Sequence, residues 1–118
     1  MSYQNLPKQV QDEMMRFQSL GEQLQMLAQQ KFTYDTSIKE KELSIKELEE
    51  LPDDVVVYKQ VGGIMIKSDK AKVLEGLKDD KTTMEMRKKT LERNEASMKK
   101  NFDEMKESLQ KKLGGNLD

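Results

Sequence analysis

Residues 51–67 read LPDDVVVYKQVGGIMIK. A proline and two aspartates interrupt whatever precedes them, a run rich in β-branched residues follows, and Gly62-Gly63 separates it from a second apolar run. Valine, isoleucine and tyrosine suit the pleated surface of a strand, and a Gly-Gly pair between two such runs supplies the unusual dihedrals of a two-residue turn. The spacing predicts a β-hairpin over residues 55–67. Closing it at Gly62-Gly63 sets Val61 opposite Ile64 and Lys59 opposite Ile66. Val57, Val61, Ile64 and Ile66 then share one face, while Val56, Tyr58, Gln60 and Met65 share the other.

On either side the pattern changes from a period of two to one of seven. Pro7 and Pro52 are the only prolines, and the 44 residues between them contain one glycine. Val10, Phe17, Leu24, Lys31, Ile38 and Ile45 fall at one seam position, and Glu13, Leu20, Leu27, Tyr34, Lys41 and Leu48 fall three residues later. Nine of these twelve are apolar or aromatic, which predicts a coiled-coil helix over residues 7–50, roughly 66 Å long at 1.5 Å per residue. Residues 69–113 repeat the pattern, with Leu74, Lys81, Lys88, Glu95, Phe102 and Leu109 at one position and Leu77, Met84, Leu91, Met98, Met105 and Lys112 at the other. Ser68 or Asp69 can cap the start of this second helix, and Gly114-Gly115 can end it.

A reversing hairpin between two helices of nearly equal length gives an antiparallel coiled coil. Charge agrees: residues 7–50 carry a net −3 and residues 69–113 a net +3, so the two helices attract. The fold class is therefore mostly α, one domain over residues 1–118, with a flexible tail at 114–118. Gly21 and Gly76 each cost about 1 kcal/mol inside helices. Lys31, Lys41, Lys81, Lys88 and Glu95 interrupt the seams. The lysines can pack their stems and extend their ammonium groups to water, or set the register, and no chemistry is assigned to them.

Composition narrows function. The chain has 118 residues, 36% of them charged and 35% hydrophobic, no histidine, cysteine or tryptophan, and a mean hydropathy of −0.89. Without His or Cys there is no Cys/His nucleophile, Ser-His-Asp relay, disulfide or usual structural zinc site. No acid/base constellation stands out, so neither an enzyme nor a bound cofactor or metal is expected. A net charge of −1 and no arginine-rich stretch argue against nucleic acid. No apolar run approaches a bilayer span or a signal peptide, so no membrane is expected and the cytoplasm is the predicted compartment.

The hairpin has no third strand in the sequence to cover its apolar face or pair its edges. Burying five or six of its side chains at roughly 1.5–3 kcal/mol each would stabilise an assembly by about 10 kcal/mol before association entropy. Val55, Val56, Val57, Tyr58, Val61, Gly62, Gly63, Ile64, Met65 and Ile66 are thus the candidate subunit-assembly residues. At the other end, Met14, Met15 and Phe17 lie across from Phe102, Met105, Leu109 and Leu113, joined by Tyr3 and Leu6. Such side chains can form an adaptable surface for apolar segments of other proteins, or simply zip the coil to its end.

Helix, hairpin and helix in this order resemble the β-type subunit of prefoldin, an ATP-independent holdase chaperone family. The resemblance is carried by Leu51-Pro52-Asp53-Asp54, Val57-Tyr58-Lys59, Val61-Gly62-Gly63 and Lys67, and by Lys89-Thr90-Leu91-Glu92 on the second helix. Its single hairpin is similar to the β class, since α-type subunits carry two. The resemblance implies a hexamer of two α-type and four β-type subunits, with the hairpins joined in an intersubunit β-barrel. It further implies that the coiled-coil tips hold unfolded client proteins and pass them to a group II chaperonin. Carried onto this chain, the client-binding tip is Leu6, Val10, Met14 and Phe17 with Phe102, Met105, Leu109 and Leu113, and Met15 beside them. The competing reading is a structural coiled-coil dimer or scaffold that binds no client.

Overall fold

The computed structural model describes residues 6–114. Tyr3, Gly115 and the rest of the expected tail at 115–118 lie outside the described residues. The elements are α1 (Lys8–Glu49), β1 (Val57–Val61), β2 (Ile64–Ser68) and α2 (Lys70–Leu113). The chain forms two compact units, one of residues up to Lys31 with those from Thr90 on, the other Phe32–Lys89.

Local chemistry sets each boundary. The Pro7 carbonyl accepts the amides of Val10 and Gln11, and the Gln11 side chain donates to the Leu6 carbonyl at 2.8 Å, so the entry to α1 is capped without an acidic residue. Asp69 caps α2: its Oδ1 accepts the Lys72 amide at 2.8 Å, satisfying one of the donors a helix start leaves unpaired. At the other end Gly114 turns left-handed, with φ +67°, and its amide reaches the Gln110 carbonyl at 2.9 Å.

The hairpin has the expected register, with Val61 opposite Ile64, Lys59 opposite Ile66 and Val57 opposite Ser68. Of the two turn glycines only Gly62 has positive φ, at +58°, the sign pattern of a type II′ turn. The ladder is shorter at its base than the sequence suggests, for Val55 and Val56 lie outside β1. The Val55 amide closes a turn onto the Pro52 carbonyl. The residues that would face Val55 and Val56 across the sheet, Lys70 and Asp69, are already committed to α2 and its cap.

Within each unit the helices pack along the predicted seams. All twelve seam positions of α1 and eleven of the twelve on α2 are buried or half-buried, Lys112 being the exception. Among the described residues the buried apolar side chains all sit on these seams: Leu91 and Leu109 in the unit containing both chain ends, and Ile38, Ile45 and Leu48 in the other, Leu109 alone being fully buried. Apart from Lys41, the polar interruptions are matched across the helices. In the first unit Lys31 meets Glu92 and Glu95 at 3.5 and 3.7 Å, and Lys112 meets Glu13. In the second, Lys88 pairs with Asp35, and Lys81 with Glu42 at 3.8 Å. Such partly exposed pairs add roughly 0.2–1 kcal/mol each; their larger effect is on register, because a one-heptad shift would carry Lys112 from Glu13 to a leucine and Glu95 from Lys31 to Leu24 or Ile38.

The two helical glycines differ. A Cβ on Gly21 would stand 3.3 Å from Cε2 of Phe102, whose ring stacks on Phe17 with centroids 4.5 Å apart, whereas a Cβ on Gly76 would meet nothing within 4 Å. Gly21 is therefore the notch that admits Phe102, and no packing reason accounts for Gly76. Gly76→Ala is expected to stabilise the chain by about 0.5–1 kcal/mol, since alanine is the better helix former. Gly21→Ala should fall short of that gain by at least ~0.5 kcal/mol because Phe102 must move. Urea unfolding of both variants decides it, and equal gains would show that the notch is irrelevant.

Candidate functional site

Two apolar surfaces are candidates, one in each unit. The first is the hairpin. It forms a two-stranded sheet, so each strand has one open edge whose amides and carbonyls have no ladder partner among the described residues. Val56, Tyr58, Val61, Ile64, Met65 and Ile66 are 47–63% exposed. Val55 and Val57 are half-buried near the base of the hairpin, and Gly62 and Gly63 are exposed at its turn. The more apolar face thus presents Val61, Ile64 and Ile66 to solvent, and the opposite face presents Tyr58 and Met65. Sheets of this kind associate by adding strands to their edges and covering their apolar faces.

The second surface lies in the unit that contains both chain ends. Of the nine residues expected to form a client-binding tip, Met15 alone is exposed, at 68%. Leu6, Val10, Met14, Met105 and Leu113 are half-buried. Phe17 and Phe102 stack on each other, and Leu109 is fully buried. Leu109, with no exposed surface, can meet nothing outside the coil while the helices stay paired.

The structure also exposes apolar residues that the seam reading passed over. Met26, Phe32 and Leu43 on α1 and Met86 on α2 are all more than half exposed. Each lies off the heptad seam, and that was the signal available in the sequence: a large apolar residue at an outward position of an otherwise polar helix. Met15 and Met26 are eleven residues apart, three helical turns, and so lie on one stripe of α1. A shallow groove beside this region is lined by Leu20 and Met105 together with Glu13, Arg16, Gln23 and Glu104.

Among the described residues no group of three or more acidic residues is placed to hold a metal ion, and no helix is long and apolar enough to cross a membrane.

A two-helix coil closed by one hairpin is the arrangement of a known family, and the sequence matches that family's pattern, described as prefoldin subunit, over residues 11–116. The chain belongs to the prefoldin family. It is 40% identical over 109 residues to the prefoldin subunit beta of Methanothrix thermoacetophila, covering 92% of this chain and 91% of the relative. Against the prefoldin subunit beta of Thermococcus gammatolerans it is 39% identical over 110 residues, covering 93% and 94%. The crystal structure of the prefoldin beta subunit from Thermococcus strain KS-1 superposes with a TM-score of 0.84 at 37% identity, over 93% of this chain and 96% of that one. The expected resemblance to β-type prefoldin subunits therefore holds over nearly the whole length. Two helices with a two-stranded hairpin between them are the shared architecture.

The burial pattern separates zipper from surface within the expected tip. Leu109→Ala should lower stability by about 2–5 kcal/mol, whereas Met15→Ala should change it by no more than ~0.5 kcal/mol. Chemical denaturation of the two variants measures both, and comparable losses would mean that Met15 is packed in solution.

Proposed function

We propose that this chain is the β-type subunit of a heterohexameric holdase chaperone, built from four copies of it and two of an α-type prefoldin subunit. Its hairpin enters an intersubunit β-barrel, its coil ends hold non-native proteins without nucleotide, and the client passes to a group II chaperonin. The observation that carries the assembly is the hairpin. Six large apolar side chains about half exposed, beside two open strand edges, make an aggregation-prone surface unless other strands cover it. The family's subunits assemble with one another, which supplies those strands.

Client binding rests on a different feature. Met15 is exposed, and Leu6, Val10, Met14, Met105 and Leu113 keep part of their surface open to solvent. A single contact of this kind is weak. Several coils around one client raise the effective concentration of every further contact, so avidity is high while each contact releases quickly. Methionine suits this work because its flexible, polarisable chain adapts to varied apolar partners. The cytoplasm is the compartment in which such a subunit would meet unfolded chains. A scaffold dimer without client binding is the alternative, and nothing in the exposed methionines favours it.

Recovered from its host with a tag, the chain is expected in a hexamer containing four copies of it and two of a second, longer subunit, by intact mass of the complex. A homodimer alone would leave the coil and return the function to a scaffold. Within the assembled hexamer, deleting residues 1–17 and 102–118 should abolish protection of an unfolding protein from aggregation, read by light scattering. Full protection by the deleted hexamer would overturn the client-binding reading.

A further inference from the structure

Between the end of α1 and the hairpin, the chain must turn out of a helix and into a strand across seven residues with little packing of their own: Leu51, Pro52, Asp53, Asp54 and Val56 are exposed. The last carbonyls of α1 have no intrahelical partner, and they form the negative end of the helix dipole. One side chain from the other arm of the fold meets them. The Lys70 ammonium donates to the Leu51 carbonyl at 2.7 Å, to the Glu49 carbonyl at 3.3 Å and to Asp53 Oδ1 at 3.2 Å. An ammonium has three N–H groups and no acceptor, so these three oxygens satisfy it completely. Its side chain is only 11% exposed, whereas Asp53 is fully exposed.

Lys70 is also the first residue of α2, directly after the Asp69 cap and two residues beyond Ser68, the partner of Val57 in the ladder. One residue thus ties the exit of α1 to the point where the returning strand becomes the second helix. The loop leaving α1 and the base of the hairpin are fixed to each other by one cation. We infer that Lys70 is the residue that positions the hairpin, capping α1 in trans and holding the 50–56 connection so that the strands are presented in one pose for pairing with other subunits. Its use in assembly rests on the function proposed above. The latch itself is a property of the single chain.

The two parts are tested separately. In the isolated chain, hydrogen exchange of the Glu50, Leu51 and Val55 amides should rise at least tenfold in Lys70→Met, which keeps most of the stem but loses the donors. Amides around Leu91 should stay within twofold. Lys70→Arg, which still carries charge and donors, should restore most of the protection; unchanged exchange in Lys70→Met would overturn the latch. In titrations with the host's α-type prefoldin subunit, Lys70→Met should need at least tenfold more partner to form the hexamer, with helix content by circular dichroism unchanged. Assembly at the wild-type concentration would overturn the positioning role while leaving the proposed function intact. Failure of the wild-type chain itself to assemble would sink the proposed function, and the exchange result would still decide the latch.

Discussion

Two helices have only one stripe each to bury against the other, and that constraint governs the rest of this molecule. A globular chain of similar length surrounds its core on all sides. Here, among the described residues, only Ile38, Ile45, Leu48, Leu91 and Leu109 lose nearly all contact with solvent. The coil therefore gains its stability by length, adding half-buried seam residues turn after turn, rather than by depth. A narrow seam also specifies register weakly, because one leucine resembles the next. The matched polar breaks supply the missing specificity: Lys31 with Glu95, Lys88 with Asp35, Lys81 with Glu42 and Lys112 with Glu13. A slip by one heptad would take Glu95 from Lys31 to Leu24 or Ile38 and Lys112 from Glu13 to Leu6 or Leu20. Lys88 would still find Glu42, or Lys81 find Asp35, so the Lys31–Glu95 and Lys112–Glu13 pairs carry most of the register specificity.

The same constraint leaves the hairpin uncovered. The helices bury their stripes against each other, and although Tyr58, Lys59 and Gln60 line a hollow together with Lys41 of α1 and Val73 and Leu77 of α2, Ile64, Met65 and Ile66 remain in solvent. A strand pair in this condition is stable only if its geometry is fixed locally and its surface is covered from outside. Local fixing is present at both ends. Gly62 allows the tight turn, and Asp69 and Lys70 tie the base, one capping α2 and the other reaching the end of α1. Covering must come from other chains, and membership in a family of assembling subunits agrees with that requirement.

Most of this architecture was legible in the sequence, because it depends on contacts whose partners the pattern itself identifies. Heptad spacing located the seams, and Gly62-Gly63 fixed which strand residues face each other. What escaped were facts that depend on residues distant in sequence. The end of the ladder at Val57 is set by where α2 is capped, so the β-branched run beginning at Val55 overstates the strand. Gly21 looks like a defect until Phe102, brought in from the other helix, occupies the space its missing side chain leaves. Lys70 reads as an ordinary charged residue at a helix start, since nothing in its neighbourhood reveals that three oxygens from the far side of the hairpin await it.

The expected client-binding tip exposes a deeper ambiguity. A seam and a surface for unfolded chains demand the same residue types, so periodicity cannot tell a leucine that closes the coil from one that greets a client. Only accessibility separates them. Phe17, Phe102 and Leu109 are held by each other or by the opposite helix, while Met15 and, one stripe along, Met26 project outward. The division is physically sensible. If the contact residues were the zipper itself, engaging a client would open the coil and each contact would carry the cost of unpairing the helices. Under the function proposed here, flexible apolar side chains on the outer face would let the coil stay closed and keep each contact weak, reversible and independent. Those are the properties a holdase without an energy source needs.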